Sequence, residues 1–152
     1  MKALVISNDR DEAESISLWF QRRWPQTTLY SVADGNDGIE VAEAEWPDIV
    51  IVDLDMPGAD SFDALEKIRL FSDVPLMVLT SSDEETEKTW ALELGADAYI
   101  VKPLSRVEFL ARVQALLRRA RMTHHKEDCL VQTRRTTWRT NLINLLANYL
   151  PS

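Results

Sequence analysis

Short runs of consecutive apolar residues recur along the chain, each too short for a helix and each followed by polar residues. The run Ile49-Val50-Ile51-Val52 is rich in β-branched residues and reads as a strand buried on both faces, the centre of a sheet. Ala3-Leu4-Val5-Ile6, Leu76-Met77-Val78-Leu79 and Ala98-Tyr99-Ile100-Val101 repeat the pattern, while Thr28 to Ala33 alternates weakly and suits a sheet edge. Between them the apolar spacing changes to that of helices. Ile16, Trp19, Phe20 and Trp24 stripe a helix over Asp11 to Trp24, stopped by Pro25. After the turn signal Asp34-Gly35-Asn36, the positions Ile39, Val41, Ala42 and Trp46 give a short helix that Pro47 ends, and Phe62, Leu65, Ile68 and Phe71 line a third. Asp83 to Leu94 begins with acids, which suits the positive end of a helix dipole, and stops at Gly95. A fifth helix, striped by Val107, Leu110, Ala111, Val113, Leu116 and Leu117, runs to about Arg121. Five strands alternating with five helices predict an α/β doubly wound parallel sheet with right-handed crossovers.

Composition narrows the setting. The chain has 152 residues, enough for one domain over 1–121 with a remainder, 122–152, too short for a second. One cysteine, Cys129, excludes a disulfide framework within the chain, and no apolar run approaches the roughly 20 residues of a membrane span. With no signal sequence before the first strand, a cytoplasmic protein without membrane partners is expected. Residues 1–121 hold 13 Lys/Arg against 23 Asp/Glu, net −10, so this part is a poor nucleic-acid binder.

The strand ends carry the chemistry. A lone Asp after a strand is ordinarily a turn residue. Here four buried strands end at one edge of the sheet in Ser7-Asn8-Asp9, Asp53, Thr80 and Lys102. A nucleophilic carboxylate, a hydroxyl and an ammonium meeting in one crevice suit binding and transfer of a phosphoryl group, with a divalent cation shielding the charge.

In DLDMPG, LTSS and YIVKP, taken in order and at strand ends, the chain resembles the receiver (CheY-like) domains of two-component response regulators over residues 1 to about 121. The resemblance implies a flavodoxin-like sheet of order 2-1-3-4-5, whose switch point Asp53 flanks. It implies Asp53 as phosphoacceptor, Thr80 as the hydroxyl that follows the phosphoryl group, Lys102 as the lysine of the site, Tyr99 as the switch aromatic and Pro103 as a cis proline. It further implies Mg2+ as cofactor and a histidine kinase or phosphotransfer protein as partner. Such a domain assists its own phosphorylation and dephosphorylation and is not expected to be an enzyme.

One departure matters. The family carries two adjacent acids after its first strand, one a direct magnesium ligand, and this chain has Ser7-Asn8. The expected metal set is therefore Asn8, Asp53 and Asp55, with Asp9 a further candidate that needs an irregular loop. An amide oxygen is a weaker magnesium ligand than a carboxylate, so the site is expected to be weakened. Two readings stay open: a weakly phosphorylated receiver, and a phosphate-independent pseudo-receiver acting through protein contacts. A small phosphotransfer enzyme on this fold is a third. Flavin binding would need backbone donors and hydroxyls where SNDRDEA puts acids.

The stretch EFLARVQALLRRAR resembles the fifth helix of receivers that precede a winged-helix DNA-binding domain. That subfamily pairs through its fourth helix, fifth strand and fifth helix, and the matching positions hold Lys88, Asp97, Glu108 and Arg112. The remaining 31 residues are too few for a winged helix, so nucleic acid is expected only through a missing or separate output domain. After a polar connector, Met122 to Asp128, the residues Trp138, Leu142, Ile143, Leu145, Leu146, Tyr149 and Leu150 form an apolar stripe of helical spacing. His124-His125 belongs to that connector, without the further ligands a metal site needs. A helix with such a stripe needs its face covered by its own receiver, a second copy or a partner. Removal of residues 129–152 is therefore expected to change the mass seen by light scattering or the midpoint of thermal unfolding. Identical values for both chains would show that the stripe docks on neither its own receiver nor a second copy.

Overall fold

The central strand is β3, Ile49–Asp53, with all five residues buried. It has the near-continuous apolar character of a strand covered on both faces. The computed structural model describes residues 1–58 and 60–127. Around β3 stand β1 (Lys2–Ile6), β2 (Thr28–Val32), β4 (Leu76–Thr80) and β5 (Ala98–Val101), in the order β2-β1-β3-β4-β5 with every pairing parallel. This is the flavodoxin-like doubly wound sheet that the pattern and the resemblance predict. The helices are α1 (Arg10–Arg23), α2 (Gly35–Glu45), α3 (Asp60–Phe71), α4 (Glu85–Glu93) and α5 (Arg106–Glu127).

Side-chain alternation along each strand divides the core into two layers. Leu4, Ile6, Val50, Val52, Leu76 and Val78 face one way and pack with Ala42 of α2, Ala64, Leu65 and Ile68 of α3, and Ala91 of α4. Ala3, Val5, Ile49, Ile51, Met77 and Leu79 face the other way, against Ile16 and Phe20 of α1 and Phe109, Val113 and Leu116 of α5. Tryptophans among the described residues serve packing: Trp19 lies 5.4 Å from Phe109, Trp24 5.4 Å from Phe20, and Trp46 6.2 Å from Phe71, between ring centroids. Trp90 stacks on Phe62 at 4.3 Å while remaining about half exposed.

Three boundaries differ from expectation. Gly35 opens α2 instead of forming a turn, because Asp34 caps the helix by accepting from the Asp37 N–H at 2.8 Å. Helix α4 begins at Glu85, two residues later than the acids suggest. Helix α5 does not stop near Arg121 but continues through Met122 to Glu127, since nothing in that segment is a Gly or Pro that would end it. The expected connector is thus helical over its described residues, Met122 to Glu127. The stripe from Trp138 to Leu150 lies outside the described residues. Among the described residues no helix is long and apolar enough to cross a membrane.

At the edge where the strands begin, two aspartates hold neighbouring strands. Asp48, just before β3, accepts from the Lys2 N–H of β1 at 2.8 Å, and Asp97, just before β5, accepts from the Leu76 N–H of β4 at 2.9 Å. Arg69 of α3 braces the second anchor, donating to the carbonyls of Ser72, Val74 and Gly95 and pairing with Asp97 at 3.0 Å.

The close approach of α2 to β1 rests on Gly38, where a Cβ would fall inside the fully buried side chain of Ile6. Gly38→Ala is expected to lower stability by about 1–3 kcal/mol, read as a lower urea midpoint at unchanged slope. A raised midpoint would mean that Ile6 yields and that the better helix propensity of Ala, about 1 kcal/mol, prevails.

Candidate functional site

Parallel strands deliver their carboxyl ends to one edge, and four of them build the site. Asp53 ends β3 and is 1 % exposed. Ser7 follows β1, Thr80 ends β4, and Lys102 follows β5, joined to Pro103 by the cis peptide that the resemblance implies. The Lys102 ammonium donates to Asp53 Oδ1 at 3.0 Å and pairs with Asp55 Oδ2 at 3.0 Å and Glu12 Oε1 at 2.8 Å. Three carboxylates thus converge on one cation.

Each carboxylate has further partners. Asp53 Oδ1 accepts from the Asp55 N–H at 2.8 Å and Oδ2 from the Ser7 hydroxyl at 3.1 Å. Ser7 Oγ is also 2.9 Å from Glu12 Oε2. A hydroxyl has one proton for these two acceptors, so Ser7 bonds Glu12 or Asp53 but not both at once. Burial, with the Asp53 carboxylate beside it, pushes Glu12 up to about 7 against the pull of Lys102 and Ser7. Burial works against the charged form of Lys102 too, but Glu12, Asp53 and Asp55 outweigh it and hold its pKa above the ordinary lysine value. Asp55 loses solvation as well, yet the Ser81 N–H and Lys102 bond its charged form and hold it below the usual carboxylate range.

On the other side of the crevice, Thr80 Oγ1 lies 3.0 Å from Glu87 Oε1 of α4 and 3.5 Å from Asp55 Oδ1, and it accepts from the Ser82 N–H at 3.1 Å. Tyr99 is half-buried and donates to the Ser82 carbonyl at 2.9 Å, so the hydroxyl and the aromatic both grip the loop that enters α4.

The chain matches the family model described as response regulator receiver domain over residues 3–114. It belongs to that family. The receiver domain of Francisella response regulator 1452 is 27 % identical with a TM-score of 0.71, over 78 % of this chain and 98 % of that one. The BeF3-activated N-terminal receiver domain of Klebsiella pneumoniae RstA is also 27 % identical with a TM-score of 0.71, over 78 % and 99 %. A two-component response regulator from Clostridium difficile shares the fold at 23 % identity and a TM-score of 0.74, over 79 % and 98 %.

Receiver domains bind Mg2+ at their acidic pocket. In this receiver the donor set suits a hard cation, because three carboxylate oxygens already surround an ammonium that stands where a cation is wanted. They are spaced for that ammonium, at 2.8–3.0 Å from its nitrogen. Among the described residues no three such groups are drawn together at metal spacing.

Asp53, Asp55, Thr80 and Lys102 meet as expected, whereas Asn8 and Asp9 stay outside the crevice, and the dimer-face candidates lie apart from it, as a separate surface requires. Asn8 is exposed at the rim. Asp9 caps α1, its Oδ1 accepting from the N–H groups of Asp11 and Glu12 at 3.1 and 3.2 Å, which removes it from the crevice. Asp97 sits at the opposite end of the sheet, its carboxylate bonded within its own chain to Arg69 and Leu76. Glu108 and Arg112 pair with each other along α5 at 3.7 Å, and Lys88 is exposed on α4.

The residue that sequence reasoning missed is Glu12. Its signal was the spacing Asp9-x-x-Glu12, in which the third helical residue reaches back toward the cap. Here it reaches past Asp9, whose N–H bonds Ser7 Oγ at 3.2 Å, and arrives at Ser7 itself.

Removing the shared cation leaves three anions facing one another. Lys102→Met is expected to cost about 2 kcal/mol by urea unfolding, less than the loss of a fully buried partner because the lysine is 19 % exposed. Lys88→Met, on the surface, is expected to change stability by less than about 0.5 kcal/mol. Equal effects would show that the three-carboxylate cluster does not depend on Lys102.

Proposed function

We propose that this receiver domain takes a phosphoryl group onto Asp53 from the phosphohistidine of a histidine kinase or phosphotransfer protein, in cytoplasmic two-component signalling. The observation that supports it most is Lys102 Nζ 3.0 Å from Asp53 Oδ1 in a crevice that also holds the Thr80 hydroxyl. An Asp53 oxygen forms a bond to phosphorus as the phosphorus–nitrogen bond breaks, its electron pair leaving on the donor imidazole. The arriving oxygens are anionic, and Lys102 turns from the carboxylates toward them. Thr80 exchanges its Glu87 contact for a phosphoryl oxygen, and Tyr99 loses the loop geometry that holds it to Ser82. Helix α4 is thereby loosened from the end of β4. Asp53 and Asp55 would hold a bound Mg2+, which offsets the charge of the phosphoryl oxygens.

The output surface in this reading is the α4–β5–α5 face, where two copies pair. Lys88, Glu108 and Arg112 are exposed there, and Leu92, Val101 and Val107 are exposed apolar residues of the same three elements.

A second reading, a phosphate-independent receiver, is favoured by one observation: Asp53 is 1 % exposed beneath a cation that already neutralises it. Phosphate-tag electrophoresis after incubation with acetyl phosphate and Mg2+ separates the two. A shifted band that disappears in Asp53→Asn is the expected outcome. An unshifted wild-type protein, folded by circular dichroism, would sink the phosphoacceptor reading and leave the phosphate-independent one.

A further inference from the structure

The acid missing after β1 has a replacement that comes from another element. Ser7 occupies the end of β1 and is 4 % exposed, Asn8 points out at the rim, and Asp9 is committed to the cap of α1. None of the three brings a carboxylate to Asp53. Glu12 does so from the first turn of α1, where side chains tilt toward the helix start and hence back over the strand end.

Its surroundings are unlike those of an ordinary helix-start acid. A glutamate in a first turn gains from the helix dipole while its carboxylate stays in water. The Glu12 side chain is only 8 % exposed, with one oxygen 2.8 Å from Lys102 Nζ and the other 2.9 Å from Ser7 Oγ. Ser7 is the residue standing in for an acid, and its hydroxyl is also 3.1 Å from Asp53 Oδ2. The Glu12 carboxylate therefore lies one hydroxyl away from Asp53, against the side chain whose charge has been lost. The neighbouring acids Asp11 and Glu14 remain exposed.

We infer that Glu12 is the relocated acid of this receiver, supplying from α1 the carboxylate that Ser7 and Asn8 lack and joining Asp53 and Asp55 as ligand to a divalent cation. The inference rests on the proposed receiver chemistry but concerns metal binding, which is measured without phosphorylation. Lys102 and the cation share the same three carboxylates. Lys102 is the counter-ion those carboxylates hold in this structure.

Two substitutions separate this role from a merely structural one. Glu12→Gln keeps size and hydrogen-bonding reach while removing the charge; adding Ser7→Asp returns a carboxylate to the end of β1 without changing the total charge. Calorimetric titration of the full chain with Mn2+ and with Mg2+ is expected to show affinity falling about ten-fold or more in Glu12→Gln. In Asn8→Ala it is expected to stay within about two-fold of the wild type, since that side chain lies outside the cluster. Ser7→Asp with Glu12→Gln is expected to recover most of the loss. If Glu12→Gln unfolds, Glu12→Asp, shorter by one methylene, serves in its place, and the same loss is expected. Unchanged affinity in the Glu12 variant, or a loss as large in Asn8→Ala, overturns the inference. A folded wild-type chain that binds neither ion also overturns it and leaves Lys102 as the only cation of the site. Metal binding that depends on Glu12 without labelling of Asp53 would sink the phosphoryl proposal alone.

Discussion

Everything at the functional edge depends on the encounter between one ammonium and three carboxylates. At about 3 Å and an effective dielectric near 20, each such attraction is on the order of 5 kcal/mol before the cost of desolvation is counted. That cost and the mutual repulsion of Glu12, Asp53 and Asp55 take back most of it. Such a cluster persists only where the backbone cannot spread to relieve it. The sheet provides that restraint, with β1, β3 and β4 each buried over at least four consecutive residues beneath the site.

The two sides of the sheet divide the consequences. Helix α1 brings Glu12 to the charge cluster and packs with α5 in one core layer, so the acid's position is tied to Ile16, Phe20 and Phe109. Helix α4 belongs to the other layer and meets the site through Glu87 and through the Ser81 and Ser82 backbone. Asp53 is joined to α1 through Lys102, which also pairs with Glu12, while α4 meets the crevice through the Thr80 hydroxyl and the Tyr99 bond to the Ser82 carbonyl. These links differ in strength and range, since only the first is a direct ion contact.

The architecture was legible because buried parallel strands leave an unmistakable mark: short apolar runs ending in polar residues at one edge. The same logic brings Asp53, Thr80 and Lys102 together from the sequence, since strand ends in a parallel sheet share a location. Glu12 was not legible in that way. Its place depends on where α1 starts and on a cap that turns Asp9 away, and neither follows from counting residues after β1. The extent of α5 was missed for a simpler reason, because a polar helix without a stop residue looks like a linker when only apolar periodicity is followed. The bond from the Leu76 N–H to Asp97 was not legible either, since it depends on which strand lies alongside.

That last contact recurs, and the repetition has a meaning for how the sheet is aligned. Asp48 and Asp97 each stand one residue before a strand and each grasp the opening N–H of the strand beside it. Sliding a strand by one residue would turn its whole buried face outward, an error that apolar runs such as Ile49 to Val52 do little to prevent because both faces look alike. The two aspartates act as indexing pins, fixing where each strand begins relative to its neighbour. Alignment set at one rim leaves the opposite rim free to gather like charges that no sheet would choose for its own cohesion.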